Sequence, residues 1–305
     1  MGKRCHPGLT TARDLIIARL DTLRSLVPNV RAHDPDGIHD MRVASRRLRA
    51  VLREYRAFLP PKPRKLLQKR ARLITRGLSA ARELDVTLQR IAELRTEVPA
   101  PDHPALDDLT GQLKTERENE NAATARSADT IESNAFGRAA NALVENASAP
   151  KTCRISAARR SLRRHMRRLR ARYRLWSRSQ QDADLHTVRV ALKTLRYACE
   201  SYDSLYGDPM LKFIDKLKKV QTALGEWNDF RILRDYARKT NAPASPSMNN
   251  LYETLQRKVE HLQSEFASTA EDFFSKSTRN HFRELLHTPQ TPCCDAQTAT
   301  INKTP

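Results

Sequence analysis

The stretch HDMRVASRRLR occupies residues 39–49, and a closely similar stretch, HTVRVALKTLR, occupies residues 186–196. Their first histidines are 147 residues apart, and in both copies basic residues follow at the same three later positions. Both stretches are rich in Ala, Leu and Arg, a composition that favours α-helix. The chain is therefore predicted to consist of two related units, each with one such helix.

Each stretch places a row of positive charge along one face of its helix. The histidine and three cations stand at positions i, i+3, i+7 and i+10, which fall within an arc of about 80°. A helix normally fills such a stripe with apolar core residues. Doubled basic rows suit a long polyanion better than a small substrate. The two rows are His39, Arg42, Arg46 and Arg49, and His186, Arg189, Lys193 and Arg196.

Composition and spacing predict an all-α chain. Only 8 glycines occur among the 305 residues, and helix-forming residue types dominate. The repeat extends downstream of the rows, since Leu78–Glu83 aligns with Leu224–Asp229 at an offset of 146 residues. We therefore predict two tandem four-helix units, each a bundle of antiparallel helices. The predicted helices span residues 9–27, 34–59, 63–97 (bent near Gly77) and 104–147, then 153–178, 184–205, 210–239 and 248–287.

These helices define the predicted domain boundaries. Residues 1–8 form an N-terminal extension, and the helical domain covers residues 9–287. Its first half spans about 9–149 and its second half about 151–287. The remaining segment, 288–305, is rich in Thr, Pro and Gln and is predicted to be disordered.

The charge of the chain points to a polyanionic partner. It has 55 Lys and Arg against 35 Asp and Glu, a formal net charge of +20 and a pI near 10.2. Because so large a charge opposes compaction, it is expected to serve an acidic partner. Nucleic acid, polyphosphate and an anionic membrane surface are the candidates, and a merely solvated basic surface remains the alternative.

Cysteine usage and hydropathy predict a cytoplasmic protein. The five cysteines are odd in number and show no metal-ligand spacing, which favours a reducing compartment over a disulfide framework. Cys199 is predicted to be a small buried apolar side chain. We identify no signal peptide in the first ten residues and no apolar stretch long enough to span a membrane, so membrane insertion is not expected.

Two repeated motifs of the chain resemble those of a known protein family. The pattern His-x-x-Arg-Val-Ala-x-(Arg/Lys)-x-Leu-Arg occurs twice, and each copy has a characteristic segment downstream, at Leu78–Val86 and Val220–Asp229. This resembles the CHAD family of α-helical domains, over roughly residues 9–287. Ser79 and Glu83 depart from the Gly and Asp usual in the first segment. Thr194 stands where the first copy has Arg47, so that position is less essential.

The resemblance implies a function. It implies two four-helix bundles related by pseudo-two-fold symmetry, with a basic central cavity, lined by both halves, that binds inorganic polyphosphate. Targeting to polyphosphate granules is part of the same hypothesis. Arg72 and Lys218 would support the rows from the third and seventh helices. The implied polyphosphate-binding residues are His39, Arg42, Arg46, Arg49, Arg72, His186, Arg189, Lys193, Arg196 and Lys218.

Several alternatives remain open from the sequence. A nucleic-acid-binding role is the second hypothesis, although aromatic residues are only 6% of the chain and stacking normally needs them. We predict no catalytic residues, no cofactor and no metal site; Cys293, Cys294, His281 and His287 have poor metal spacing. The two row histidines are either ligands or capping and core residues. The arginine-dense helix 159–174 is either part of the anion surface or a general electrostatic funnel.

Overall fold

The computed structural model describes residues 7–147, 154–240 and 245–289, which form α-helices and two short 3₁₀ turns with no β-strand among them. The all-α prediction is confirmed. The first helix already begins at Pro7 and the last ends at Leu285. Most of the predicted N-terminal extension and C-terminal tail, and the junction at Pro150, lie outside the described residues. The domain boundaries therefore stay predictions.

The described residues up to 147 form eight helices. Both α1 and α4 pack against α3, and α4 also packs against α7 and α8. The helices are α1 (Pro7–Ser25), α2 (Val27–Arg31), α3 (Pro35–Glu54), α4 (Pro61–Gly77), α5 (Ser79–Leu94), α6 (His103–Asn119), α7 (Asn121–Glu132) and α8 (Asn134–Glu145), with 3₁₀ turns at Arg56–Phe58 and Ala100–Asp102.

Six helices follow in the described residues from 154 onward. They are α9 (Arg154–Ser179), α10 (Asp182–Ser201), α11 (Asp203–Tyr206), α12 (Asp208–Thr240), α13 (Pro246–Phe274) and α14 (Lys276–Leu285). Here α10 packs against α9 and α12, and α12 packs against α13. The two parts of the chain meet where α3 packs on α10 and α5 packs on α12. The helices that carry the basic rows, α3 and α10, therefore lie at this junction.

Both parts depart from four long helices. In the second part, region 184–205 forms α10 and α11, and region 248–287 forms α13 and α14. Region 63–97 forms α4 and α5, separated at Leu78, and region 104–147 forms three helices. A Cβ atom at Gly77 would come within 2.3 Å of the Ser127 hydroxyl on α7, so the break lies where α7 approaches most closely. The equivalent region 210–239 lies within one unbroken helix, α12. Grouping into two four-helix bundles stays a prediction.

The same local geometry precedes both row-bearing helices. His33 has φ 57° and Gln180 has φ 51°, and these positions are 147 residues apart, like the two row histidines. Asp34 then caps α3, because its side chain accepts hydrogen bonds from the backbone N–H groups of Asp36 and Gly37. The repeat thus includes the turn that precedes α3 and α10 and sets their direction.

A reciprocal pair of hydrogen bonds joins the ends of α3 and α10. The Tyr55 hydroxyl donates to the Ser201 carbonyl at 2.7 Å, and the Tyr202 hydroxyl donates to the Glu54 carbonyl at 3.1 Å. The two rings lie 5.3 Å apart between centroids. The two donors are 147 residues apart, and so are the two residues that carry the acceptors. This is expected when α3 and α10 are related by a local two-fold axis.

The apolar faces of the two helices form part of the core, opposite their basic rows. On α3 the buried apolar residues include Met41, Ala44, Leu48, Val51 and Leu52, and Tyr55 follows directly after the helix. On α10 the buried residues include Cys199, which is fully inaccessible, as predicted. Burial of one face presents the other face, with its cations, to the junction. Within the described ranges, no helix has the length and apolar character needed to cross a bilayer.

Glu54, at the end of α3, is a buried carboxylate held by α9. Ser161 Oγ donates to its Oε2 at 2.5 Å, and its Oε1 lies 3.1 Å from His165 Nε2. Burial by itself would raise the pKa of Glu54, but hydrogen bonds with His165 and Ser161 outweigh it and lower the pKa to about 2. The ionised carboxylate therefore ties α9 to α3.

We expect Glu54→Ala to destabilise the protein by about 3 kcal/mol, because it leaves two buried polar side chains without their acceptor. In the wild type the lowered pKa of Glu54 adds stability that is present above the unfolded pKa. This stability is lost as the pH falls toward about 2. Urea unfolding at neutral and acidic pH measures both effects. The difference in unfolding free energy between wild type and Glu54→Ala should be smaller at acidic pH. An equal difference at both pH values would contradict this role of Glu54.

Candidate functional site

The two basic rows converge on one cavity. It has a volume of about 490 Å³ and is lined by residues of α3, α5, α10 and α12, at the junction of the two parts of the chain. Six of the ten predicted site residues line it: His39, Arg42, Arg46, Arg189, Lys193 and Arg196. Three come from each row, so the cavity is shared by both copies of the repeat.

Other lining residues were not among the predicted ligands. Arg47 and Arg82 add two cations, and the carboxylates are Asp40, Glu83 and Asp229. The wall thus holds six arginines and Lys193 against three carboxylates. A signal for Arg82 was present in the sequence, since it lies in the downstream segment whose equivalent contributes Asn228 and Asp229 to the same wall.

Several guanidinium groups in the cavity have unused donors. The Nε–H groups of Arg42, Arg189 and Arg196 are buried and have no hydrogen-bond partner within the described protein. Buried donors without acceptors cost free energy, more so when they are charged. An anion with several oxygens would satisfy them with charge-assisted hydrogen bonds.

Burial and the crowding of like charges lower the pKa values of two cavity cations, Lys193 and Arg42. The pKa of Lys193 falls to about 7 because of burial first and then the neighbouring Arg189 and Arg46. The pKa of Arg42 falls to about 10 through burial and the charges of Arg46 and Arg82. Both shifts show that the empty cavity disfavours its own positive charge.

The two row histidines occupy similar but unequal positions. His39 lines the cavity, and burial, followed by the charge of Arg82, lowers its pKa. His186 lies just behind the wall, with Nδ1 3.4 Å from Oδ1 of the lining residue Asn228. Burial and nearby cations lower the pKa of His186, although Asn228 partly opposes this. Both rings are therefore predominantly neutral near pH 7 in the empty protein.

Three other predicted site residues lie outside the cavity wall. Arg49 is half-buried one turn beyond Arg46, and burial followed by the charge of Arg72 lowers its pKa. Arg72 is exposed on α4. Lys218 is 54% exposed and pairs with Asp215 at 2.8 Å. The sequence offset places Lys218 opposite Arg72 in the repeat, but it does not reveal the carboxylate one turn away.

Glu200 distinguishes the second half of the site from the first. Its Oε2 accepts a hydrogen bond from Arg47 Nε at 3.1 Å, and its Oε1 lies 3.6 Å from Arg196. The carboxylate is only 13% exposed. Two lining cations are therefore partly neutralised by one half-buried acid on α10.

The arginine-dense helix α9 contributes no residue to the cavity wall. Some of its arginines pack against the C-terminal helices: Arg159 donates to the Leu286 carbonyl and Arg170 to the Phe274 carbonyl. Others, including Arg167 and Arg168, are exposed. Its basic surface is thus separate from the converging rows.

The lining groups are suited to binding anions. They present guanidinium forks, one ammonium and one imidazole around a single space. Across the described ranges, no cluster of three or more His, Cys, Asp or Glu is arranged to hold a metal ion. The chemistry that this wall offers is multiple simultaneous contacts to negative oxygens.

The sequence matches the CHAD domain family over residues 14–238, and the chain therefore belongs to this family. Its fold is similar to the crystal structure of the CHAD domain from the plant Ricinus communis. The TM-score is 0.58 at 22% identity, covering 92% of this chain and 93% of that one. It is also similar to PptA from Streptomyces chartreusis, with TM-score 0.56, 14% identity, and coverage of 92% and 99%. At these identities the likeness shows the fold alone. No curated protein sequence matches this chain at a significant level.

Proposed function

We propose that the protein binds inorganic polyphosphate in the shared cavity and that this binding targets it to polyphosphate granules. The observation that carries the proposal is the convergence of both basic rows on one wall, with unpartnered guanidinium donors. The CHAD family is known for polyphosphate-related binding. The ligand residues we propose first are the six predicted residues that line the cavity.

The cations of the cavity and the phosphates of the chain would neutralise each other. Cations three and four residues apart on a helix lie about 5–6 Å from each other, so one face can contact successive phosphates of a linear chain. Bringing many cations together destabilises the empty protein, and a bound polyanion relieves that repulsion. A single orthophosphate neutralises only part of the wall. Affinity should therefore rise steeply with chain length.

Nucleic acid is a weaker candidate for the cavity. Single-stranded nucleic acid binds through aromatic platforms as well as cations. Tyr197 is the one aromatic side chain on the described wall, and it is only 7% exposed and covered by Arg196. Trp176 and Trp227 are buried in the core. The wall therefore favours a polyanion that has no bases.

We also propose that the protein does not hydrolyse its ligand. Turnover of a phosphoryl compound normally needs a positioned nucleophile or water, and usually a divalent ion. A row of cations that binds every phosphate alike supplies ground-state affinity, which does not accelerate cleavage. The arrangement supports retention of the polyanion.

Titration with tripolyphosphate, long-chain polyphosphate, single-stranded DNA and duplex DNA tests this function. We expect long polyphosphate to bind tightest at about 0.15 M salt, and its affinity to fall at higher salt. Phosphate release with Mg²⁺ present should stay at the level of a no-protein control. Equal affinity for DNA and polyphosphate would contradict the ligand assignment. Release that disappears in a His39→Ala/His186→Ala variant would contradict the lack of catalysis.

A further inference from the structure

The two sides of the cavity carry very different charge. The repeat pairs positions of α3 with α10 at an offset of 147 residues and positions of α4 with α12 at an offset of 146. Five cations of α3 and α4 in the first half have equivalents that include two carboxylates and a threonine. The first set is Arg49, Arg53, Lys69, Arg72 and Arg76; its equivalents are Arg196, Glu200, Asp215, Lys218 and Thr222.

On the first side the cations form a continuous and largely unpaired group. We call Arg49, Arg72 and Arg76 the arginine track. It continues the row from Arg46, and α4 is fixed against α3 there by a 2.8 Å hydrogen bond between Ser45 and Thr75. The pKa of Arg49 is lowered by burial and by the nearby charges of Arg72, Arg46 and Arg76 among others. In the described residues none of the three track arginines forms an ion pair, whereas neighbouring Arg53 pairs with Glu54.

On the second side the two equivalent cations, Arg196 and Lys218, are partly neutralised by carboxylates. Glu200 contacts both Arg47 and Arg196, and Lys218 pairs with Asp215. A phosphate chain that passed over this face would approach two carboxylates and would have to break these pairs. The first side offers free guanidinium groups without such a cost.

We infer that a polyphosphate chain longer than the cavity leaves it in one direction, over the α3–α4 face along the arginine track. This inference rests on the proposed function. The cavity binds a short segment through both rows, and the track binds the segment that follows. The α10–α12 face does not bind the chain.

A pair of matched variants tests the direction. Arg49→Gln/Arg72→Gln/Arg76→Gln removes the track, and Lys212→Gln/Lys216→Gln/Lys219→Gln removes three exposed charges from α12. We expect the track variant to bind long-chain polyphosphate at least about tenfold more weakly, corresponding to about 1.4 kcal/mol. Its affinity for tripolyphosphate should fall much less than its affinity for the long chain, because the six proposed ligands that line the cavity are unchanged. The α12 variant should differ little from wild type with either ligand.

The experiment distinguishes failure of the proposed polyphosphate binding from failure of the inferred direction. If wild type binds neither polyphosphate, the proposed function fails. If wild type binds both and the two triple variants lose equal affinity for the long chain, the effect is general electrostatics and the direction is wrong. Circular dichroism and thermal unfolding check that each variant folds. Arg72→Gln/Arg76→Gln, which changes exposed residues only, provides the same comparison if the half-buried Arg49 is needed for folding.

Discussion

Replacing Arg42 and Arg46 together by alanine is expected to lower the affinity for long-chain polyphosphate by about 100-fold, or roughly 2.7 kcal/mol. Replacing Arg189 and Lys193 together should lower it by a similar factor. Each pair removes two charge-assisted contacts from the cavity wall, and such contacts contribute about 1.5–3 kcal/mol each. The relief of repulsion among the remaining cations reduces the net loss.

The same repulsion provides a check on folding. These four side chains crowd one another: burial first, and then the charge of Arg46 among others, lowers the pKa values of Arg42, Arg189 and Lys193. Removing a pair should therefore leave the empty protein as stable as wild type or more so. Thermal unfolding without ligand measures this. A large drop in the unfolding temperature would mean that the pair supports the fold as well as the ligand.

The matched control removes equal charge elsewhere. Arg167→Ala/Arg168→Ala takes two exposed arginines from α9, which does not line the cavity. We expect less than about a threefold loss of affinity, since exposed and distant charges are screened by salt. If one cavity pair behaves like this control while the other abolishes binding, the two halves do not share one site.

Affinity for polyphosphate is expected to fall as the pH rises above 7, by up to about tenfold per pH unit. In the empty protein the pKa of Lys193 is lowered to about 7 by burial and by its arginine neighbours. A bound polyanion reverses that repulsion and raises the pKa, so binding above neutral pH takes up a proton. Below pH 7 the ammonium is already charged, and the dependence on Lys193 should level off.

Calorimetry measures this proton directly. Titrations in buffers of different ionisation enthalpy should show uptake of about one proton at pH 8. Lys193→Arg should bind with a flatter pH profile, because guanidinium stays charged throughout this range. Inner phosphates of a long chain carry their charge at all these pH values, so the ligand contributes little. An unchanged profile in Lys193→Arg would show that another group takes up the proton.

The stability of the empty protein should change in the opposite sense. In the unfolded chain Lys193 has an ordinary lysine pKa, so above pH 7 the unfolded state binds more protons than the folded state. Unfolding free energy therefore rises with pH in this range as far as Lys193 is concerned. Ligand-free stability and ligand affinity thus depend on the same proton with opposite signs.

The sequence by itself determined the helical class, the repeat and the composition of each basic row. These are local properties, since helical periodicity alone puts His39, Arg42 and Arg46 on one face. The offset of 147 residues predicted that α3 and α10 are equivalent, and the reciprocal bonds of Tyr55 and Tyr202 agree with it. The predicted helix 210–239 lies within the single helix α12, whereas the predicted helices 63–97 and 248–287 are each divided in two.

Only the tertiary structure decided which members of each row share the cavity. Arg82 reaches the wall from α5, Arg49 and His186 lie outside it, and Lys218 pairs with Asp215. Glu200 neutralises Arg47 from a position 153 residues later in the chain. Such pairings depend on how helices pack and cross, which is set by complementary side-chain shapes across the whole core and leaves no periodic signal in either helix.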